Sequence, residues 1–274
     1  MIRDITIGQY YPVDSPIHRL DARVKLFATF VYIITLFVIN TFIGYLFVVL
    51  ALGAVISASK VPVKFMLRGL KSIMIIIIFT AGINLFMTNG EYVLWEWKFL
   101  RLTAEGVMLA TKMCVRLVLL VVGSSLLTLA TTPIQLTDGI EYSLNPLKRI
   151  GVPAHEIAMM MTIALRFIPT LLDETDKIMK AQQARGADFD TGNLIQKAKS
   201  LIPILVPLFI SAFRRAEELA MAMEARCYHG GENRTRMNEM HLRGGDYQAL
   251  GVMFCYIAVV VALRFAAGAT PFII

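Results

Sequence analysis

Residues 24–58 read VKLFATFVYIITLFVINTFIGYLFVVLALGAVISA. Apart from Lys25 the run carries no charge, and one membrane-crossing helix needs only about 20 apolar residues. The run is too long for a single crossing, and Asn40-Thr41 interrupts it at the middle. It is expected to hold two spans joined by a very short turn. The whole chain agrees: 57% of its 274 residues are hydrophobic and only 17% are charged, where soluble domains carry about a quarter charged residues. Lipid is therefore the default solvent. Further spans are expected at about 70–88, 107–130 and 248–267.

The fold class that follows is all-α: a polytopic membrane protein with about five transmembrane helices plus long cytoplasmic amphipathic helices. Residues 1–131 form a membrane domain of four spans, 132–246 a cytoplasmic domain, and 247–274 a C-terminal transmembrane helix. Residues 1–23 lack the short apolar core of a secretory signal and carry Arg3, Asp4, Asp14, Arg19, Asp21 and Arg23, so the first run is expected to stay in the mature protein. Cys114, Cys227 and Cys255 form no C-x-x-C, and neither a disulfide nor a metal site is expected.

Charge orients the spans. Arg3, Arg19, Arg23 and Lys25 precede the first one, Lys60, Lys64, Arg68 and Lys71 follow the second, and many more lie within 132–246. Five spans put all three regions on one side. The other side receives the 40–41 turn and the loop 89–106, which has Glu91, Glu96 and Glu105 against Lys98 and Arg101, with Tyr92, Trp95 and Trp97 suited to the interfacial belt. By the positive-inside rule the N-terminus and 132–246 are cytoplasmic and the C-terminus is outside. The same rule accounts for the net charge of +7 and removes the case for a nucleic-acid partner. Lys112 and Arg116 stand four apart near the outer end of the fourth span. They read as snorkelling cations, or as contacts to a partner subunit.

The segment 132–246 has equal numbers of acidic and basic residues, so it is no basic patch. AHEIAMMMTIALRFIPTLL, at 154–172, is apolar but broken by Arg166 and Pro169, and reads as a buried or interfacial helix rather than a span. LLDETDKIMKAQQARG, at 171–186, sets Leu172, Ile178 and Met179 on one face and Asp173, Asp176, Lys177 and Lys180 on another, the pattern of an amphipathic helix. A second such helix, SAFRRAEELAMAMEARCYHGG at 211–231, has Phe213, Leu219 and Met223 on its apolar face. Placing Arg185 over Arg226 also places Asp176 over Glu217, Ile178 over Leu219 and Ala181 over Ala222. An arginine in a last helical turn is favoured by the helix dipole, at about 0.3–1 kcal/mol. That explains either arginine singly. Two Ala-Arg pairs at the same helical phase suggest a second use, in which small Ala lets the tip enter a groove and the guanidinium bonds carboxylates there.

Three stretches together resemble a known family. DSPIHRLDARVKL at 14–26 is similar to a Ser-x-x-His-x-Leu-Asp-x-Arg-x-Lys signature, and TTPIQLTDGIEYSLNPLKRIGVPAHEIAMMMTIALRFIPTLLDET at 131–175 is similar to a long central one. The tripeptides Ala184-Arg185-Gly186 and Ala225-Arg226-Cys227 match a paired signature in number, order and spacing, with Cys227 standing where Gly or Ser is common. The family is the transmembrane T component of energy-coupling factor (ECF) transporters, the EcfT/CbiQ-like family. The resemblance implies a non-catalytic coupling subunit for uptake of vitamins or related micronutrients. It implies two cytoplasmic ABC-type ATPases as partners, which bind ATP and Mg, and a small membrane substrate-binding S component, or several in exchange. Crossed coupling helices would insert their Ala-Arg-x tips into the ATPases, Arg185 into one and Arg226 into the other. The faces of Leu172, Ile178, Met179, Phe213, Leu219 and Met223 would meet each other or the S component, and the 15 Met residues suit an adaptable surface. The chain itself would bind no cofactor. Consistently, no G-x-x-x-x-G-K-[ST] stretch occurs, so any nucleotide site belongs to a partner.

Other readings fare worse. A membrane enzyme would have to use His18, His155-Glu156, or Cys227 with His229, none in a metal-binding pattern. A secondary transporter should show inverted repeats with broken helices. A T component dedicated to cobalt or nickel is the alternative within the family, and its partner, a vitamin-type S component or a dedicated metal-binding one, discriminates the two.

Overall fold

The fold begins at Asp21, whose carboxylate accepts the Arg23 amide at 2.9 Å and so caps α1 (Ala22–Val38), satisfying one of the amides a helix start leaves bare. The computed structural model describes residues 10–88, 92–97, 100–187, 189, 193–230 and 241–269. Asn40-Thr41 is the turn between α1 and α2 (Phe42–Ser59), as the break in the apolar run requires. Lys60 ends α2 in the left-handed region at φ 56° and Pro62 precedes α3 (Val63–Met87). A short antiparallel hairpin, β1 (Val93–Trp97) and β2 (Leu100–Thr103), leads into α4 (Ala104–Ala130). The loop expected at 89–106 is thus partly a ribbon. Val93, Trp95, Trp97 and Thr103 are strand-forming types, and Trp97 pairs with Leu100. Arg3, Asp4, Glu91 and Lys98, and the side chains of Glu96, Arg101, Trp95 and Trp97, lie outside the described residues. The chain continues through α5 (Pro133–Leu144), a 3-10 turn (Asn145–Ile150), α6 (Ala154–Ala184), α7 (Leu194–Ser200), α8 (Ile202–Ala225) and α9 (Gly244–Ala269).

Among the described residues five helices, α2, α3, α4, α6 and α9, are long and apolar enough to cross a membrane by length and composition. The number expected is the number found, but the set differs. At 17 residues α1 is about 26 Å long, slightly short of a hydrocarbon core of about 30 Å. The stretch 154–172, read as too interrupted for a span, belongs to one unbroken helix of 31 residues. Pro169 sits inside α6 without ending it, because a proline removes one backbone bond and kinks a helix more readily than it stops one whose flanks are packed.

The described residues fall into two compact units, one of 10–139 with 241–269 and one of 140–230. In the first, Leu36, Val48, Met66, Leu119, Leu126 and Val260 form the centre of the core. Gly123 lets α1 and α4 touch, since a β-carbon there would overlap the Tyr32 ring. Tyr32 donates to Leu119 O at 2.8 Å, and Thr35 and Tyr256 hydroxyls meet at 2.9 Å to tie α1 to α9. The middle of α3 is bare, with Ile75, Ile78 and Phe79 all more than 60% exposed, as suits a surface whose solvent is lipid.

Arg116 is bound inward, which replaces the snorkelling reading. Its guanidinium donates to the Tyr45 hydroxyl at 3.0 Å, Ile39 O at 3.2 Å and Asn40 Oδ1 at 3.0 Å. It thus serves carbonyl groups left open where α1 ends. Lys112 lies over the Phe42 ring at 5.1 Å. Both cations hold the α1–α2 turn.

The DSPIHRLDARVKL signature does similar work at the other end of the bundle. The end of α4 leaves carbonyls open; Leu129 O accepts from the Tyr11 amide and Ala130 O from Lys25 Nζ, both at 2.9 Å. Lys25 Nζ also donates to His18 O at 3.0 Å. His18 Nε2 lies 3.1 Å from Tyr11 O and must donate there, so Nδ1 accepts from the Ser15 hydroxyl at 2.7 Å. Burial holds the His18 pKa below its ordinary value, in keeping with that neutral tautomer. Asp246, only 2% exposed, accepts the Asp21 amide at 2.8 Å and the Arg243 amide at 2.7 Å, which fastens the start of α9 to the start of α1. Burial raises the Asp21 carboxyl, but the bonds from Arg23 outweigh it and hold the pKa below the ordinary carboxylate value.

Candidate docking site: two matched helix ends

The Ala-Arg-x tripeptides end α6 and α8 in the same way, atom for atom. Ala184 and Ala225 are the last helical residues, and Arg185 and Arg226 are the C-caps, at φ −88° and −91°. The next residue is left-handed in each, Gly186 at φ 88° and Cys227 at φ 56°. The Gly186 amide donates to Gln183 O and the Ala187 amide to Gln182 O, at 2.9 and 3.0 Å. The Cys227 amide donates to Glu224 O and the Tyr228 amide to Met223 O, at 2.8 and 3.0 Å. These two bonds are the Schellman motif, which closes a helix end through the main chain alone. Both caps therefore stand without their arginine side chains. Arg185 and Arg226 are exposed, and neither makes a side-chain hydrogen bond or ion pair to a described residue.

The caps also explain the third position of the motif. Only glycine enters the left-handed region freely, and other residues lose about 1–2 kcal/mol there. No atom lies within 4 Å of a β-carbon built on Gly186, so the cost at that site is purely conformational. Gly186→Ala is expected to destabilise the α6 end by about 1 kcal/mol and Cys227→Gly to stabilise the α8 end by up to that amount. Hydrogen exchange at the Ala187 and Tyr228 amides reads this out as changes of opposite sign.

α6 and α8 pair antiparallel. Ile163 and Phe167 of α6 line a pocket with Leu219, Met223 and Arg226 of α8. Further along α6, Glu174 accepts from the Ser211 hydroxyl and from Arg215 at 2.7 Å. Further still, Gln182 donates to Pro203 O at 3.4 Å. That carbonyl is free because Pro207, four residues on and inside α8, has no N–H to give it. The two tips consequently sit at opposite ends of the pair. Arg226 shares a pocket with Arg166, and Arg185 lies 19 residues farther along α6, roughly 28 Å at 1.5 Å per residue.

The expected contact faces divide. Leu219 and Met223 line the pocket against α6, and Leu172, Ile178 and Met179 are half-buried. Phe213 turns away, 72% exposed, in a stripe with Ile202, Leu205, Val206 and Phe209. Sequence periodicity put Phe213 on one face with Leu219, but contact with α6 runs through Ser211, Arg215 and Leu219. Three participants had no individual reading in the sequence: Glu174 and Arg215, which join the helices, and Arg166, which had stood out only as a charge within an apolar run.

Residues 14–237 match the family described as cobalt transport protein, CbiQ. The chain is similar to the energy-coupling factor transporter transmembrane protein EcfT of Clostridium kluyveri, 61% identical over 250 residues covering 91% of this chain and 93% of the relative. It is 57% identical over 265 residues to the protein of that name from Ruminiclostridium cellulolyticum, covering 97% of this chain and 99% of the relative. The chain belongs to the EcfT/CbiQ-like family, the transmembrane T components of energy-coupling factor transporters.

Proposed function

We propose that this chain is the coupling subunit that turns ATP binding and hydrolysis by two partner ATPases into movement of a small substrate-binding S component, for uptake of a vitamin or related micronutrient. The observation that carries the reading is the pair of identical helix ends at opposite poles of one antiparallel helix pair. Each presents a guanidinium that makes no side-chain hydrogen bond or ion pair to a described residue. A separation of roughly 30 Å, about the diameter of a small domain, suits two protein partners better than one groove. Arg185 meets one ATPase and Arg226 the other, and both ATPases carry the ATP and Mg. The exposed stripe from Ile202 to Phe213 is left for the S component. On this reading α1 crosses the membrane with α2, α3, α4 and α9 while α6 stays on the cytoplasmic side with α8, so the N-terminus and the α6–α8 unit face the cytoplasm and the C-terminus faces out, following the basic residues.

Purifying the full chain from its native membrane tests the reading. Two ABC-type ATPases and one or more small membrane proteins are expected to come with it, and their absence overturns the proposal. The identity of the small partner also decides between vitamin uptake and the cobalt or nickel alternative, of which the family description names cobalt. For orientation, Thr41→Cys in a background with Cys114, Cys227 and Cys255 replaced by Ser is expected to react with an impermeant thiol reagent on intact cells. Ser200→Cys is expected to react only after lysis. The reverse pattern overturns the orientation.

A further inference from the structure

The α6–α8 pocket beside Arg226 is open and has a volume of about 400 Å³. Its walls are Ile163, Phe167, Leu219, Ala222 and Met223, with two charges, Arg166 and Arg226. Among the described residues no carboxylate lines it. Arg19, Arg23 and Arg215 each hold an acidic partner, whereas Arg166 makes no side-chain hydrogen bond or ion pair to a described residue. Arg166 lies within an apolar stretch and is exposed, so its guanidinium is open to a partner. Two guanidiniums on one small pocket repel each other, and a single carboxylate between them would relieve both.

We infer that this pocket is a second contact point for the ATPase that meets Arg226. It takes a bulky apolar side chain from that subunit, and a carboxylate standing next to that side chain is shared by Arg166 and Arg226. The inference rests on the docking reading above and adds to it a specificity-determining residue, Arg166, and the chemistry of the docking element. At about 400 Å³ the space sits at the low end of pockets that hold small ligands, about 300–1,000 Å³, and suits an anchoring side chain. Buried apolar anchors flanked by matched charges are where interface energy concentrates. The pocket ends at the Arg226 cap, since Met223 both lines it and supplies the carbonyl that closes the helix. Filling it and seating the tip are therefore one event. An anionic lipid would answer the same charges, but nothing ties a lipid to the helix end.

The full chain is co-expressed with its two ATPases, and the ATPase retained on purification is measured. Arg166→Gln, which removes the charge, and Ala222→Phe, which fills the pocket, are each expected to lower retention of one ATPase about tenfold. Arg214→Gln, on the exposed side of α8, is expected to leave it unchanged. A photoreactive diazirine residue in place of Met223 is expected to cross-link to an ATPase peptide carrying Asp or Glu beside a large apolar residue. If Arg226→Glu releases an ATPase while Arg166→Gln and Ala222→Phe do not, docking at the tip stands and the pocket inference falls. If Arg226→Glu also retains both ATPases, the two fall together. A cross-link only to lipid or to the small membrane protein overturns the inference, and so does loss of bound anionic lipid from Arg166→Gln with the ATPases kept.

Discussion

Changing Arg185 and Arg226 together to Glu is expected to release both ATPases from the purified assembly while the chain still inserts in the membrane. The reason lies in the caps. Each helix end is closed by two main-chain bonds, and neither guanidinium supports its own unit through a described side-chain contact. Removing the side chains therefore leaves both caps closed. Losing one partner of a hydrogen-bonded charge pair at an interface costs about 2–5 kcal/mol. Reversing the sign adds repulsion from the carboxylates that the tips are proposed to meet. A glutamate in a last helical turn also opposes the helix dipole, at about 0.3–1 kcal/mol, so the Gln double variant is the cleaner measure and should lose the ATPases nearly as fully. The single variants each keep one ATPase contact and are expected to be intermediate. ATPase copurification and substrate uptake are the readouts. Full retention of both ATPases by the Glu double variant would sink the docking reading, provided the chain elutes as a folded, monodisperse species.

The sequence was legible where a pattern repeats over a helix or a span. The turn at Asn40-Thr41 and the ends of α6 and α8 follow from local chemistry: a polar break in an apolar run, and a small residue, a cation and a left-handed residue in order. The length of α6 was not legible in the same way. Pro169 and Arg166 look like interruptions when only neighbours along the chain are considered, yet α8 lies beside α6 on either side of Pro169, at Ile163 and Phe167 and at Glu174, and the helix runs on. Arg116 shows the same limit. Its position in a span suggests a side chain reaching for water, but the partners that hold it, Ile39, Asn40 and Tyr45, come from a turn more than 70 residues earlier. Pairings of that kind carry no periodic signal. The antiparallel order of α6 and α8 had none either, since it depends on Glu174 meeting Ser211 and Arg215.

The N-terminal signature shows the consequence most directly, and replacing Lys25 by Met is expected to be the most damaging single change in the membrane unit. Lys25 is 6% exposed and its ammonium joins three separated segments. It donates to His18 O and to Ala130 O, and it lies within the influence of Asp21 and Asp246. Methionine keeps most of the apolar volume, so the change isolates the ammonium. Two carbonyls lose a charged donor, Ala130 O in a buried place, and each unsatisfied buried group costs about 1–3 kcal/mol. Asp21 and Asp246 also lose the cation between them. The sum is expected to be about 3–5 kcal/mol, within the range of whole-domain stabilities of about 5–15 kcal/mol, and to appear as a lower melting temperature in detergent. Hydrogen exchange should rise first at the start of α9 and at the Tyr11 amide, which bonds to the same helix end. Asp246→Asn keeps an acceptor for the Asp21 amide, removes the charge and gives up the bond from the Arg243 amide, so alone it is expected to cost about 1–3 kcal/mol, less than Lys25→Met. In the Lys25→Met background Asp246→Asn should cost less still, or stabilise, because the charge it removes no longer has a counterpart. Strict additivity of the two changes would mean that Lys25 acts through packing and that the cross-bundle bonds contribute little.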